Sequence, residues 1–151
     1  MWSKTMIGYG PEDDNFVLEL TYNYGVKSYQ LGNDYEAITI HSKRVYANLV
    51  AQGLGTPLTR GSGAPVLEVA APDGYRFHVV DADPSTGPCP VTELALNVSD
   101  LERSLAFWSG FLGFSVQRSV DGEAELSCGP AQCLLRLRQL APGQQLERGT
   151  A

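Results

Sequence analysis

Apolar and polar residues alternate with period two over short runs separated by Gly-, Pro- and Asp-bearing stretches, and twice the alternation gives way to helical spacing. Lys4 to Tyr9 and Phe16 to Tyr22 predict two strands joined by a turn-rich segment, Gly8 to Asn15. In the second of them Phe16, Leu18, Leu20 and Tyr22 share one face, and Val17, Glu19 and Thr21 share the other. After a loop around Gly25 to Asn33, Ala37 to His41 predicts a strand. Ser42 then caps a helix carrying Val45, Tyr46, Leu49 and Val50 at helical spacing, with Gly53 and Gly55 as its stop. Val66 to Ala70 and Tyr75 to Val80 flank the turn Pro72-Asp73-Gly74 and predict a hairpin.

The same order returns downstream. Thr92 to Val98 predicts a strand. Ser99-Asp100-Leu101-Glu102 reads as a capping box before a helix with Leu101, Leu105, Trp108 and Leu112 on one side. Gly113 ends it, and Phe114 to Arg118, Glu123 to Cys128 and Gln132 to Leu137 predict three strands. Phe107, Trp108 and Phe111, at helical spacing, are expected in the core rather than as a stacking platform for bases. The chain is therefore a repeat of a strand–helix–strand–strand–strand unit. Residues 1–35 hold the last strands of a first unit, 36–81 a second unit, 82–90 a Pro-rich linker, 91–139 a third unit and 140–151 a polar tail, expected to be disordered or a severed connection. The fold class expected is α+β, built from repeated βαβββ modules and truncated at both ends.

Composition narrows the function. A chain of 151 residues with 43% hydrophobic and 19% charged residues is globular. A net charge of -6 supplies no positive field for phosphates, so neither nucleic acid nor an anionic membrane is an expected partner. No run is long enough to span a bilayer, and the start Met-Trp-Ser-Lys-Thr-Met has no apolar signal core. Cys89, Cys128 and Cys133 lack a C-x-x-C spacing, which argues against a thiolate zinc site and favours a reducing compartment, the cytoplasm.

The strings Gly8-Tyr9-Gly10-Pro11-Glu12, Leu18-Glu19-Leu20-Thr21-Tyr22-Asn23-Tyr24-Gly25-Val26, Tyr29-x-Leu31-Gly32-Asn33 and Pro72-Asp73-Gly74-Tyr75 closely resemble the glyoxalase I branch of the vicinal-oxygen-chelate superfamily. That resemblance implies paired βαβββ units whose sheets curve around a divalent metal, and a chain that is an internal fragment or splice product. It also makes a mitochondrial location an alternative to the cytoplasm. Active members hold the metal through four side chains, on the first and last strands of paired units; the metal polarises an enediolate while a carboxylate moves a proton. By the resemblance, Glu19 matches the second ligand position of the first pair, Ala37 the third and His78 the fourth. Alanine cannot ligate. Glu19 and His78 are thus the candidate metal ligands, and in the third unit the equivalent positions fall on Glu93 and on Arg136, whose cationic guanidinium repels a metal.

The plainer reading of Glu19 is a solvated carboxylate, and of His78 a packed or exposed histidine. His41 shares the strand face of Ala37 but lies about 13 Å along it, so it is expected at the surface. Tyr22, Tyr24 and Tyr29 are weaker candidates for a substrate mouth, and Cys128 and Cys133 are expected to face one another across a turn. Two functional readings follow. One is a catalytically silent glyoxalase-like scaffold that binds a small ligand of unknown identity or a protein partner, with no cofactor. The other is a metal-dependent lyase, using nickel or zinc on a glutathione hemithioacetal, in which Glu19 and His78 join ligands from another chain. Open strand edges lead to an expected homodimer or other protein partner.

Overall fold

The computed structural model describes residues 1–59, 63–85 and 87–150; Thr86 of the linker and Ala151 of the tail lie outside them. Strands β1 (Trp2–Gly8) and β2 (Val17–Asn23) form an antiparallel hairpin that is a sheet of its own. Then follow β3 (Tyr35–His41), helix α1 (Lys43–Ala51), β4 (Thr56–Leu58), β5 (Val66–Ala70), β6 (Arg76–Val80), β7 (Val91–Val98), helix α2 (Leu101–Leu105) and the strands β8 (Ser115–Val120), β9 (Glu123–Ser127) and β10 (Leu134–Gln139). These eight later strands make one sheet in the order β4-β5-β6-β3-β7-β10-β9-β8.

Two strand–helix–strand–strand–strand units stand side by side in that sheet. In each, the last strand pairs parallel with the first, β6 with β3 and β10 with β7, while β3 and β7 join the units antiparallel. The resemblance led to ligand positions shared between the first and second units and between the third and an absent fourth. In the structure β3 of the second unit pairs with β7 of the third, so these first strands are central in the sheet rather than open edges. The short β4, which the alternation did not locate, and the exposed β8 are the edges.

One sheet face packs on the helices. Ala124, Leu126, Leu135 and Leu137 form its buried cluster, against which Leu94, Leu96, Val98, Leu101, Leu105 and Trp108 pack. Leu126 and Leu137 are wholly inaccessible, and each fully buried side chain of this size contributes roughly 1.5–3 kcal/mol. Ser42 caps α1 as expected, accepting from the Val45 amide at 3.3 Å. In α2 the cap is Asp100, one residue later than the capping box placed it, accepting from the Arg103 amide at 2.9 Å.

Beyond Leu105 the helix widens into a π-helical segment, Ala106–Phe111. Its wider turn shifts the side chains off the 3.6-residue stripe. Trp108 still packs, ring to ring with Phe114 at 5.3 Å, but Phe107, Phe111 and Leu112 are turned out to solvent. The aromatic cluster is therefore mostly surface, a correction to the expected core. The tail also differs from expectation: it runs back along the loop before β3. Asn33 donates its amide to the Glu147 carbonyl at 2.8 Å, and Thr150 donates to the Gln30 carbonyl at 3.0 Å. Gly32 permits this approach, because a Cβ there would collide with the tail backbone.

Candidate functional site

The sheet face away from the helices carries the polar side chains. Alternation places Thr39 on that face of β3, with His78 opposite it on β6 and Glu93 opposite it on β7. The next row holds Ala37, Ala95 and Arg136. A register shift between Tyr35 and Ala37 inserts Glu36 as an extra residue, and such a bulge re-aims a side chain. Glu36 consequently reaches the same guanidinium groups as the residues of β9.

Arg136 is 5% exposed. Its Nη2 lies 3.4 Å from Glu36 Oε1, its Nε 3.2 Å from Glu93 Oε1 and its Nη1 3.6 Å from Glu123 Oε2. Arg138 extends the network, with Nη1 2.9 Å from Glu36 Oε1 and Nε 2.6 Å from Glu123 Oε1. Burial opposes the charge of Arg138, but its bond to Glu123 and the nearby carboxylates of Glu36 and Glu93 carry its pKa upward. Glu93 also accepts from the Thr39 hydroxyl at 3.0 Å. A buried cation holds such a position only when carboxylates surround it.

Beside this cluster opens a cavity of about 890 Å³. Thr39, His41, Glu93 and Ser127 bring hydrogen-bonding groups to its lining, and Val66, Val80 and Leu134 bring apolar surface. Its size suits a small organic molecule. His41, expected at the surface, is part of this wall. Burial lowers its pKa and the Glu93 charge partly offsets that, so the ring is neutral near pH 7. The strand-face argument had the right side of the sheet, but it had no means of seeing that the wall closes around His41.

Glu19 and His78 stand on different sheets. Glu19 lies on β2 in the separate hairpin, exposed and bonded by Lys4 Nζ at 2.9 Å. His78 is buried on β6 with its Nε2 3.2 Å from Glu68 Oε2. The hairpin contributes no strand to the sheet that carries His78. The four first- and last-strand positions that this sheet does gather are Ala37, His78, Glu93 and Arg136. Such a donor set does not fit a metal, since one position has no donor and another is a cation. Among the described residues no group of three or more His, Cys, Asp or Glu is arranged to hold an ion.

Tyr22, Tyr24 and Tyr29 lie at the hairpin and the loop after it, away from the cavity lining; Tyr22 and Tyr24 meet edge to face at 5.2 Å, and Asn23 donates to the Tyr29 hydroxyl at 2.7 Å. All three cysteines are free. Burial first, then the neighbouring Cys89 and Glu93, push the Cys133 thiol up to about 12, which leaves it a poor nucleophile.

Residues 91–149 match the sequence profile of the Glyoxalase/Bleomycin resistance protein/Dioxygenase superfamily. Glyoxalase I from Zea mays superposes with a TM-score of 0.83 at 29% identity, covering 98% of this chain and 57% of that one. The chain carries a glyoxalase-superfamily domain. Glyoxalase domain-containing protein 4 of Mus musculus is 44% identical over 139 residues, 91% of this chain and 45% of that protein. Glyoxalase 1 of Caenorhabditis elegans is 41% identical over 136 residues, 90% of this chain and 46% of that protein. The chain spans about half the length of these relatives. In this glyoxalase-superfamily domain, Ala37, His78, Glu93 and Arg136 share the sheet face that carries the Arg136 cluster, whereas Glu19, also carried over by resemblance, stands on the hairpin. Among the described residues no helix is long and apolar enough to cross a membrane.

Proposed function

We propose that this glyoxalase-like domain is catalytically silent and serves as a binding module, taking a small molecule or a protein partner without a divalent metal. The observation that carries the reading is the buried Arg136 guanidinium, held among Glu36, Glu93 and Glu123 on the sheet face where a metal would need four neutral or anionic donors. A cation there supplies the positive charge itself. The cavity remains beside it, with a neutral imidazole and hydroxyls to orient a ligand and apolar walls to desolvate it. Three free thiols fit a reducing compartment, so the cytoplasm is the proposed location, with the mitochondrion the alternative implied by resemblance.

Calorimetric titration with nickel and zinc, with lyase turnover of a glutathione hemithioacetal assayed in the same samples, tests this. The expected result is no saturable binding and no turnover. One-to-one binding accompanied by turnover overturns it. The names of the relatives and the exposed carboxylate of Glu19 support the competing reading, a metal-dependent lyase whose site is completed by another chain. Metal binding abolished by Glu19→Ala is the result that reading requires.

A further inference from the structure

Strands β7 and β10 run parallel as neighbours, with Glu93 beside Leu134, so the segments that lead into them enter the sheet at the same end. Each segment carries a cysteine, Cys89 shortly before β7 and Cys133 directly before β10. The two segments meet again further out: a Cβ on Gly87 would come within 3.2 Å of the Ala131 Cβ. Cys89 and Cys133 are thus enclosed between two points of contact on adjacent chains. Neighbouring chains of a sheet lie about 4.8 Å apart, inside the roughly 4.4–6.8 Å that a disulfide spans between Cα atoms.

The surroundings single out this pair among the three thiols. After burial, Cys89 is the strongest influence on the Cys133 thiol, ahead of Glu93, and Cys128 is the weakest. Cys128 is exposed, whereas Cys89 and Cys133 are half-buried. Cys89 lies in the cavity wall, as do Gln132 and Leu134 on either side of Cys133. A small molecule that enters the cavity therefore meets this wall.

We propose that Cys89 and Cys133 are a redox-active dithiol that closes to a disulfide by exchange with a low-molecular-weight disulfide. The Cys89 thiolate attacks one sulfur of that molecule, and the thiolate it expels takes up the proton Cys89 lost. The Cys133 thiolate then attacks the Cys89 sulfur and displaces the second small thiol. The protein gives up two electrons and two protons, and the small disulfide becomes two thiols. Because burial keeps Cys133 protonated, the second displacement is the slow one. The closed form staples the linker between the second and third units to the loop before β10, which are two parts of one cavity wall. Closure needs no ligand in the cavity, so it stands whether or not the domain is a binding module. In a reducing compartment such a bond is transient, as a redox sensor requires.

The test uses the full chain with hydroxyethyl disulfide and its thiol, mixed at ratios from fully reduced to fully oxidised, then quenched in acid, alkylated and mapped by peptide mass spectrometry. The expected result is a Cys89–Cys133 link that forms in the folded parent and in Cys128→Ser and is lost on return to the reduced thiol. In Cys133→Ser the small-thiol adduct at Cys89 should accumulate in its place. Cys128 is exposed, so Cys128→Ser decides the pairing even if a half-buried thiol proves necessary for folding. A Cys128–Cys133 link as the sole intramolecular product in the parent overturns the proposal. So do mixed disulfides that never close, thiols that stay unmodified at the fully oxidised ratio, or a link that forms only in urea.

Discussion

The closing strands of the two complete units occupy equivalent places in one sheet and carry opposite chemistry. β6 presents His78, buried beside Glu68; β10 presents Arg136, buried among Glu36, Glu93 and Glu123. The apolar side of both strands is alike, with Phe77 and Val79 in one and Leu135 and Leu137 in the other. The repeated backbone therefore constrains the side that meets a helix, whereas the polar side is free to diverge.

That contrast breaks first at the guanidinium. Arg136→Ala should cost about 3–5 kcal/mol, because it leaves carboxylates facing one another without their buried cation, and His78→Ala in the other unit should cost less. Urea unfolding of the two variants gives the comparison, and equal losses would make the units energetically equivalent. Leu137→Ala should cost about 2–5 kcal/mol through the cavity it leaves, measured in the same way. A full-sized loss there with a small one at Arg136 would place the stability of the third unit in its apolar side alone.

Alkaline pH should act on both units. Cys133 in the third is pushed up to about 12 from 9.0, chiefly by burial, and Tyr35 in the second is pushed up to about 12 from 10.0 by the same cause. Each is held protonated in the fold, so its contribution is full below the unfolded pKa and is lost as pH rises toward 12. A Cys133→Ser variant that loses stability above pH 9 as fast as the parent would leave Tyr35 as the sensitive group.

On the acid side, His41 has a lowered pKa, so the unfolded chain takes up a proton before the folded one. Its contribution is present above 6.5 and is lost as pH falls through the folded value. Melting temperatures of His41→Gln at pH 5 and pH 8, beside the parent, measure it. The smallest effect belongs to the hairpin: Glu19→Ala removes an exposed ion pair with Lys4, and unfolding should not change measurably.

Much of the framework was legible because it rests on period-two and helical spacing that the chain states locally. Val66–Ala70, the Ser42 cap and the turn glycines Gly53, Gly74 and Gly122 stand where alternation and turn chemistry put them. The edge strand Thr56–Leu58 was not, since three residues carry no period. Nor was the π-helical segment, whose widening has no mark in a pattern that assumes 3.6 residues per turn. In the candidate site, Arg136 was readable as a cation at a ligand position, but its carboxylates come from three other strands. Glu36 reaches it only through a bulge. The surroundings of Glu19 were not legible at all, because alternation fixes a residue's face and says nothing about which unit will lie beside its strand.

The return of residues 145–150 onto residues 30–33 sets an order in time. Thr150 and Gln30 are separated by 120 positions, so these bonds close only once the residues between them are available. During vectorial synthesis the hairpin and the sheet can each form from nearby residues, but the loop between them stays unlatched until residues 145–150 have been made. The loop before β3 thus takes its geometry from residues that lie far beyond both units in sequence.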